Sequence, residues 1–225
     1  MKKNQLIVVL AVCLPIFLGC FSSCSLNRGF VSSVKRADIE QLSRFEMFNY
    51  VGSIEKGNKV VRNDSLTAVA KELFETELAK ASTLPVSDTI FIQDSVVNFM
   101  VQDEIFYLME RLETTTRVKN VPVPPTIDSI LCSQGKRFGL LLYNWGFTRT
   151  AGNYAGQVAK GIAIGILSMG AIIPVPYKDM TRSGLVIVDA KNHNIAFVSM
   201  ANRENSPLKP FTYKHQVKEL LWKFK

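Results

Sequence analysis

Paired carboxylates are the first requirement for acid–base chemistry. Glu110 and Glu113 stand three residues apart, the spacing that brings side chains to one helix face. Asp103 and Glu104 are adjacent and point apart. Glu110 and Glu113 are therefore the acid pair that could cooperate, although Arg111 and a helix end beside them read as solvated surface. A nucleophile would have to be Cys132, in the short apolar helical stretch Ile127-Asp128-Ser129-Ile130-Leu131-Cys132. A buried, unreactive thiol is expected there. His193 lies between two Asn in a turn and His215 follows Lys214 on a basic helix, so both are expected to face solvent. No phosphate-binding loop, dinucleotide fingerprint, H-E-x-x-H, C-x-x-C or G-x-S-x-G motif occurs. No metal or cofactor is expected, and no enzymatic activity.

Binding chemistry has better material. Tyr143, Trp145 and Phe147 alternate along one apolar stretch, so one strand face carries all three. Core packing is the plain account. A ligand platform is the sharper one, with Tyr143, Trp145 and Arg149 as its binding residues and Asn144 beside them. A small ligand or glycan would suit it, and Glu110 with Glu113 would then supply hydrolysis. Four Asp-Ser/Thr-aliphatic triplets recur at Asp64-Ser65-Leu66, Asp88-Thr89-Ile90, Asp94-Ser95-Val96 and Asp128-Ser129-Ile130. Three stand where helices are expected to start, so capping explains them. The triplet also resembles the O-glycosylation signal of exported Bacteroidetes proteins, which makes Ser65, Thr89, Ser95 and Ser129 candidate modification sites.

The elements that must position these residues follow an address. Residues 1–23 read as an export signal: Lys2 and Lys3, an uncharged apolar run at 6–18, then small residues and Cys. The run is shorter than the roughly 20 residues a membrane-spanning helix needs. Phe21-Ser22-Ser23-Cys24 resembles a bacterial lipobox, with Cys24 as the lipidated first residue of the mature chain and Cys20 as the second candidate. Cleavage removes Lys2 and Lys3 and no acid, so the formal charge falls from +8 to +6. It also leaves Cys132 as the remaining free thiol. Basic charge this mild and scattered excludes nucleic acid as a partner. Residues 24–36, rich in Ser, read as a tether, and 37–225 as one domain.

Within the domain, residues 44–54 and 59–62 read as strands joined by a turn at Lys56-Gly57-Asn58. Asn63-Asp64-Ser65 starts a helix with its stripe at Leu66, Val69, Ala70, Leu73, Phe74, Leu78 and Ala81. A short strand is expected at 89–92. A second helix, 95–113, carries Val96, Phe99, Met100, Phe106 and Met109. A short helix at 126–134 stops at Gly135, a buried strand follows at 138–147, and strands at 183–190 and 195–200 form a hairpin. A basic helix, 213–224, closes the chain with Val217, Leu220, Leu221 and Phe224 inward. Residues 152–173 are Gly-rich, apolar and helical, an insertion between two strands. Its plain reading is a helix packed on its own sheet. The sharper reading is self-association through Gly161 and Gly165, or dipping into a membrane. The fold class is α/β, with a mixed, largely antiparallel sheet and helices packed on it.

The later half carries a resemblance. A short helix, a Gly, an apolar strand, Leu185-Val186-Ile187-Val188-Asp189, a polar turn and Ile195-Ala196-Phe197-Val198 form a pattern similar to the TolB amino-terminal-like fold. The curli-secretion lipoprotein and the lipoproteins that activate cell-wall synthases share that fold. The chain as a whole resembles an uncharacterised Bacteroidetes-type lipoprotein. The resemblance implies a non-catalytic, periplasm-facing envelope protein that works in assembly or secretion through a protein partner.

Overall fold

The computed structural model describes residues 31–81, 84–115, 118–172, 174–222 and 224. The first half supplies strands β1 (Val31–Ser32), β2 (Leu42–Arg44), β3 (Phe48–Ile54) and β4 (Val61–Arg62), helix α1 (Asp64–Ala81), strand β5 (Val86–Thr89), and helices α2 (Ser95–Thr114) and α3 (Pro125–Ser133). The second half supplies β6 (Phe138–Arg149), α4 (Ala151–Leu167), β7 (Asp179–Asp189), β8 (Asn194–Arg203) and α5 (Pro210–Trp222).

An unbroken apolar run makes β6 the spine, because a strand buried on both faces needs no alternation. β7 pairs with it antiparallel from Phe138↔Asp189 to Thr148↔Asp179, and β8 pairs antiparallel with β7. On its other side β6 takes two parallel partners in succession, β2 at Ser43↔Gly139 and β3 from Phe48↔Tyr143 to Ile54↔Arg149. β5 extends β2, β4 extends the end of β3, and β1 closes the far edge on β8. The result is one eight-stranded mixed sheet.

Each face of β6 has its own core. Leu140 and Leu142, with Leu185 and Ile187, meet Phe74 and Leu78 of α1 and Tyr213, Val217 and Leu220 of α5. Leu141 and Tyr143, with Val186 and Val188, meet Ile105, Leu108, Met109 and Leu112 of α2 and Ile127 and Leu131 of α3. Each such side chain contributes about 1.5–3 kcal/mol by leaving water. The molecule is a three-layer α/β/α sandwich.

Local chemistry accounts for the element ends. Asp94 caps α2, accepting from the Val96 and Val97 amides at 2.8 and 3.1 Å. Asn63, not Asp64, caps α1, accepting from Leu66 N at 3.1 Å, while Asp64 pairs with Arg62. The first turn of α3 is capped from α2: Glu104 accepts from Thr126 N and Ile127 N at 2.9 and 3.0 Å. Gly135 takes φ +63° and ends α3, a conformation that costs glycine nothing. Of the four triplets, only Asp94 therefore caps its helix. Asp88 pairs with Lys136, and Asp128 lies inside α3 with its carboxylate on His193.

Several sequence expectations are corrected. The tether gives way to structure at Val31, because β1 pairs with β8 there. The strand expected at 89–92 is Val86–Thr89, drawn earlier by pairing with β2. On α1, Thr67 is buried and Val69 exposed, because the Thr67 hydroxyl serves the Val51 backbone. On α2, Val96, Phe99 and Met100 are exposed, and the buried stripe is Val101, Ile105, Leu108, Met109 and Leu112. Cys132 is exposed, because the buried face of α3 passes through Ile127 and Leu131.

The largest correction concerns the insertion. It forms α4, but the helix does not lie on the sheet: its buried residues are Gly161 and Gly165, and its apolar side chains face outward. Gly161 instead meets its own return segment. A Cβ there would stand 2.3 Å from the Pro174 carbonyl oxygen, so the glycine permits this closure. At Gly161 the face expected to meet a second copy is thus occupied by the same chain. No helix among the described residues is long and apolar enough to cross a membrane.

Candidate binding groove at the edge of β3

The outer edge of this half of the sheet is interrupted. β5 covers β2 as far as Arg44↔Thr89, and β4 covers β3 only at Gly52 and Ser53. Among the described residues no strand pairs with the outer edge of β3 between Phe48 and Val51. Val51 turns its amide and carbonyl outward. The amide donates to the Thr67 hydroxyl at 3.0 Å. The carbonyl accepts from the Asn63 amide at 3.0 Å, with the Thr67 hydroxyl, whose proton also faces the Asn63 carbonyl, at the same distance. By the two-residue period of a strand, Asn49 turns its backbone groups to the same edge.

That edge opens into a groove of about 810 Å³. Thr67, Ala68 and Lys71 of α1 form one wall; Asn98, Phe99, Gln102, Asp103 and Phe106 of α2 form the other. Phe48, Tyr50 and Trp145 supply aromatic floor, and Val60 and Arg62 close one end. The floor follows from the register: Phe48 and Tyr50 sit opposite Tyr143 and Trp145 on one face. Phe48 stacks on Tyr143 at 5.2 Å and tilts against Phe106 at 5.5 Å. Arg62 lies over the Tyr50 ring at 5.9 Å. Phe99 projects beside the opening, 71% exposed.

Charge in the groove is mostly paired. Lys71 donates to Glu46 at 3.0 Å, and this bond holds the Glu46 carboxyl below the usual carboxylate range, with help from Asn98 and Arg44. Arg62 donates to Asp64 at 2.7 Å. Asp103 forms no ion pair among the described residues.

Beneath the groove a buried polar network ties the layers together. Asn144 donates to Asn49 Oδ1 at 2.7 Å and to the Tyr213 hydroxyl at 3.2 Å. Asn49 donates to the Thr67 carbonyl at 2.6 Å. Ser183 lies 3.3 Å from Asn144 Oδ1 and 3.0 Å from Gln216 Oε1, and its one proton serves either. Gln216 donates to the Thr181 carbonyl at 2.9 Å. Burial pushes the Tyr213 phenol well above its ordinary range, which keeps it neutral.

The expected site residues are dispersed. Trp145 lies in the groove, its ring under the Arg182 guanidinium at 5.6 Å. Tyr143 is buried in the core beneath. Arg149 is turned away, donating to the Tyr177 carbonyl, Asn58 and Asn153 at the end of the sheet. Glu113 pairs with Arg182 at 3.1 Å and Glu110 is exposed, so the two carboxylates do not converge on the groove. Burial raises the Glu113 carboxyl above its usual range, and Arg182 offsets part of the rise. His193 is in the hairpin turn as expected, its Nδ1 2.7 Å from Asp128 Oδ2, and His215 packs on Phe211 at 4.3 Å. Ser65, Thr89, Ser95 and Ser129 are all exposed; Cys20 and Cys24 lie outside the described residues. No cluster of His, Cys, Asp and Glu suited to a metal occurs among the described residues.

Known proteins add little. No family model matches the chain, and no curated protein does. Two solved structures of the PelC dodecamer from Paraburkholderia phytofirmans, one of them a single-residue variant, are 8% identical to it with a TM-score of 0.36. The match covers 87% of this chain and 94% and 96% of theirs. A likeness that small carries no argument about fold or function.

The sequence named Trp145 but missed the rest of the groove. Asn49 and Thr67 carry no local signal, and the exposed Phe99 reads as core by periodicity. The one available sign was two competing apolar stripes on α2, more than one sheet face can bury.

Proposed function

We propose that this chain is an exported, lipid-anchored protein of the bacterial envelope, non-enzymatic, whose domain holds an extended segment of a partner protein against the open edge of β3. The interrupted edge carries the reading. A strand entering between β5 and β4 would meet the backbone of Asn49, while its alternate side chains would reach Phe99, Phe106 and Trp145. Main-chain pairing would supply affinity and the aromatic floor selectivity. The anchor rests on the order of basic start, short apolar run and Cys24. The resemblance of the later half implies the setting, envelope assembly or secretion.

A photo-crosslinking residue in place of Phe99, in the native host, tests this. Adducts to a discrete segment of an envelope polypeptide, lost when Trp145→Ala is added, are the expected result. No protein adduct, with the variant stably folded, overturns it. A second reading is a small ligand or glycan, favoured by Trp145 and Phe99 beside the amides of Asn98 and Gln102. It predicts adducts to non-protein material and no effect of strand-forming peptides.

A further inference from the structure

The β6–β7 connection ends in a run of exposed apolar side chains. Ile162, Ile164, Ile166, Leu167, Met169, Ile172, Val175 and Tyr177 are exposed, Leu167 at 84% and Met169 at 97%. At 100° per residue the exposed apolar side chains of α4 span more than half of the helix circumference, leaving the buried Gly161 and Gly165 on the remaining side, where Gly161 meets Pro174. A protein partner calls for one stripe. A helix apolar on most sides calls for a surrounding apolar medium.

Position allows a bilayer as that medium. α4 leaves the sheet at the end marked by Thr148↔Asp179, and β8 finishes at the same end, with Arg203 opposite Thr181. β1 is antiparallel to β8, so its amino-terminal end faces that end too. Val31 lies opposite Val198, whose β7 neighbour Val186 is about 24 Å from Asp179 at strand rise. The stretch from Cys24 to Val31 can span at most about 24 Å. At full extension that stretch reaches the Asp179 end. The opposite end, at Asp189, is about 10 Å from Val186 at strand rise, so a lipid on Cys24 allows either end to approach a bilayer, and the apolar projection selects this one.

Charge agrees. The β3–β4 turn docks on the start of α4, where Asn153 donates to the Gly57 carbonyl at 2.7 Å. This places Lys56 and Lys59 at the same end as Lys160 and Lys178. All four are exposed, and none forms an ion pair among the described residues. Exposed lysines at the base of an apolar projection suit anionic headgroups.

We propose that the α4 projection, from Ile162 to Tyr177, inserts into the outer part of the bilayer that carries the Cys24 lipid, so that the protein is held at two points in a fixed orientation. The proposal rests on the anchoring reading above. It leaves the β3 groove facing sideways along the membrane.

The test uses the full-length lipidated chain, with Cys132→Ser removing the exposed thiol, and Met169→Cys or Lys191→Cys carrying an environment-sensitive label. Position 169 is almost fully exposed, so its substitution leaves the fold intact; position 191 lies at the opposite end of the sheet. In vesicles of phosphatidylethanolamine and phosphatidylglycerol, the label at 169 should lose access to an aqueous quencher. It should report a depth of about 5–10 Å from acyl-chain quenchers, while the label at 191 stays aqueous. A label at 169 that stays aqueous on protein shown by mass to carry the Cys24 lipid overturns the proposal and leaves the anchor standing. A label shielded from both quenchers, with crosslinks between copies, also overturns it in favour of self-association. Insertion at 169 in protein whose mass shows no lipid supports the projection and removes the anchor instead.

Discussion

Replacing Asn144 by Leu probes the buried network directly. The side chains are close in size, so the change is one of polarity. Asn144 donates to the Tyr213 hydroxyl and to Asn49 Oδ1, and both would lose that partner. Tyr213 is fully buried, so no water replaces the lost donor; an unsatisfied buried group costs about 1–3 kcal/mol. Asn49 is half-buried and can recruit water, so its share is a net hydrogen bond of about 1 kcal/mol. Ser183 keeps Gln216 as its acceptor and adds nothing. After the gain from burying the Leu methyl groups, the expected loss is about 2–3 kcal/mol. With a urea slope of about 2 kcal/mol per M, the midpoint falls by roughly 1–1.5 M. The assay is equilibrium urea denaturation of wild type, Asn144→Leu, Tyr213→Phe and the double variant. Tyr213→Phe removes the group that Asn144→Leu strands, so the double variant should recover about 0.5 kcal/mol or more against additivity. An unchanged midpoint for Asn144→Leu, or additivity within about 0.5 kcal/mol, refutes the reasoning.

Glu113 offers a pH test. Its folded-state carboxyl is raised, so it favours the folded state fully at low pH and loses that contribution as pH rises through the raised value. The stability difference between wild type and Glu113→Gln should therefore shift in the variant's favour from pH 4 to pH 7; a flat difference contradicts it. Glu104→Ala removes the cap on α3 and should cost about 0.5–2 kcal/mol, read by thermal denaturation. Gly161→Leu drives a side chain into the Pro174 carbonyl. It should increase protease cleavage within 168–178 with little change in global stability, because α4 contributes no side chain to either core. Intact mass of protein from its native host, with peptide fragmentation, checks Cys24 and the triplets together. The expected mature mass carries lipid at Cys24, fragmentation places any sugar at Ser65, Thr89, Ser95 or Ser129, and a mass equal to the lipidated polypeptide alone ends the sugar reading.

The helices and the long strands were legible in the sequence because their signals are local. β1, read as tether, and the division of 44–54 into β2 and β3 were not, since short strands exist only through their partners. Asp94 and Gly135 bound α2 and α3, and the apolar run of β6 announced a strand buried on both sides. The buried face of α2 was not legible. Val96, Phe99 and Met100 form one helical stripe and Val101, Ile105, Leu108 and Leu112 another, and propensity does not rank them. The sheet decides, since Leu141, Tyr143, Val186 and Val188 offer one face to cover. The helix within 152–173 was legible, although it stops at Leu167, but its packing was not, because an apolar helix with nothing over it resembles a core helix in sequence. The groove was out of reach for a further reason. It exists only because β2 and β3 share the flank of β6, and each has its own short cover. The carboxylate pair failed similarly: spacing brought Glu110 and Glu113 to one turn, but Arg182, distant in sequence, claimed Glu113.

The parallel pairing of β3 with β6 has a bearing on biogenesis. Asn49 and Asn144 bond across 95 positions of the chain, and β7 and β8 come later still. If the chain crosses a membrane amino terminus first, β2, β3 and α1 emerge long before their partners. Closing so long a loop is slow compared with forming a helix. Until β6 arrives, β3 presents two open edges rather than one, along with the apolar face of α1. Closure of the sheet therefore waits on β6, whose arrival covers the inner edges of both β2 and β3.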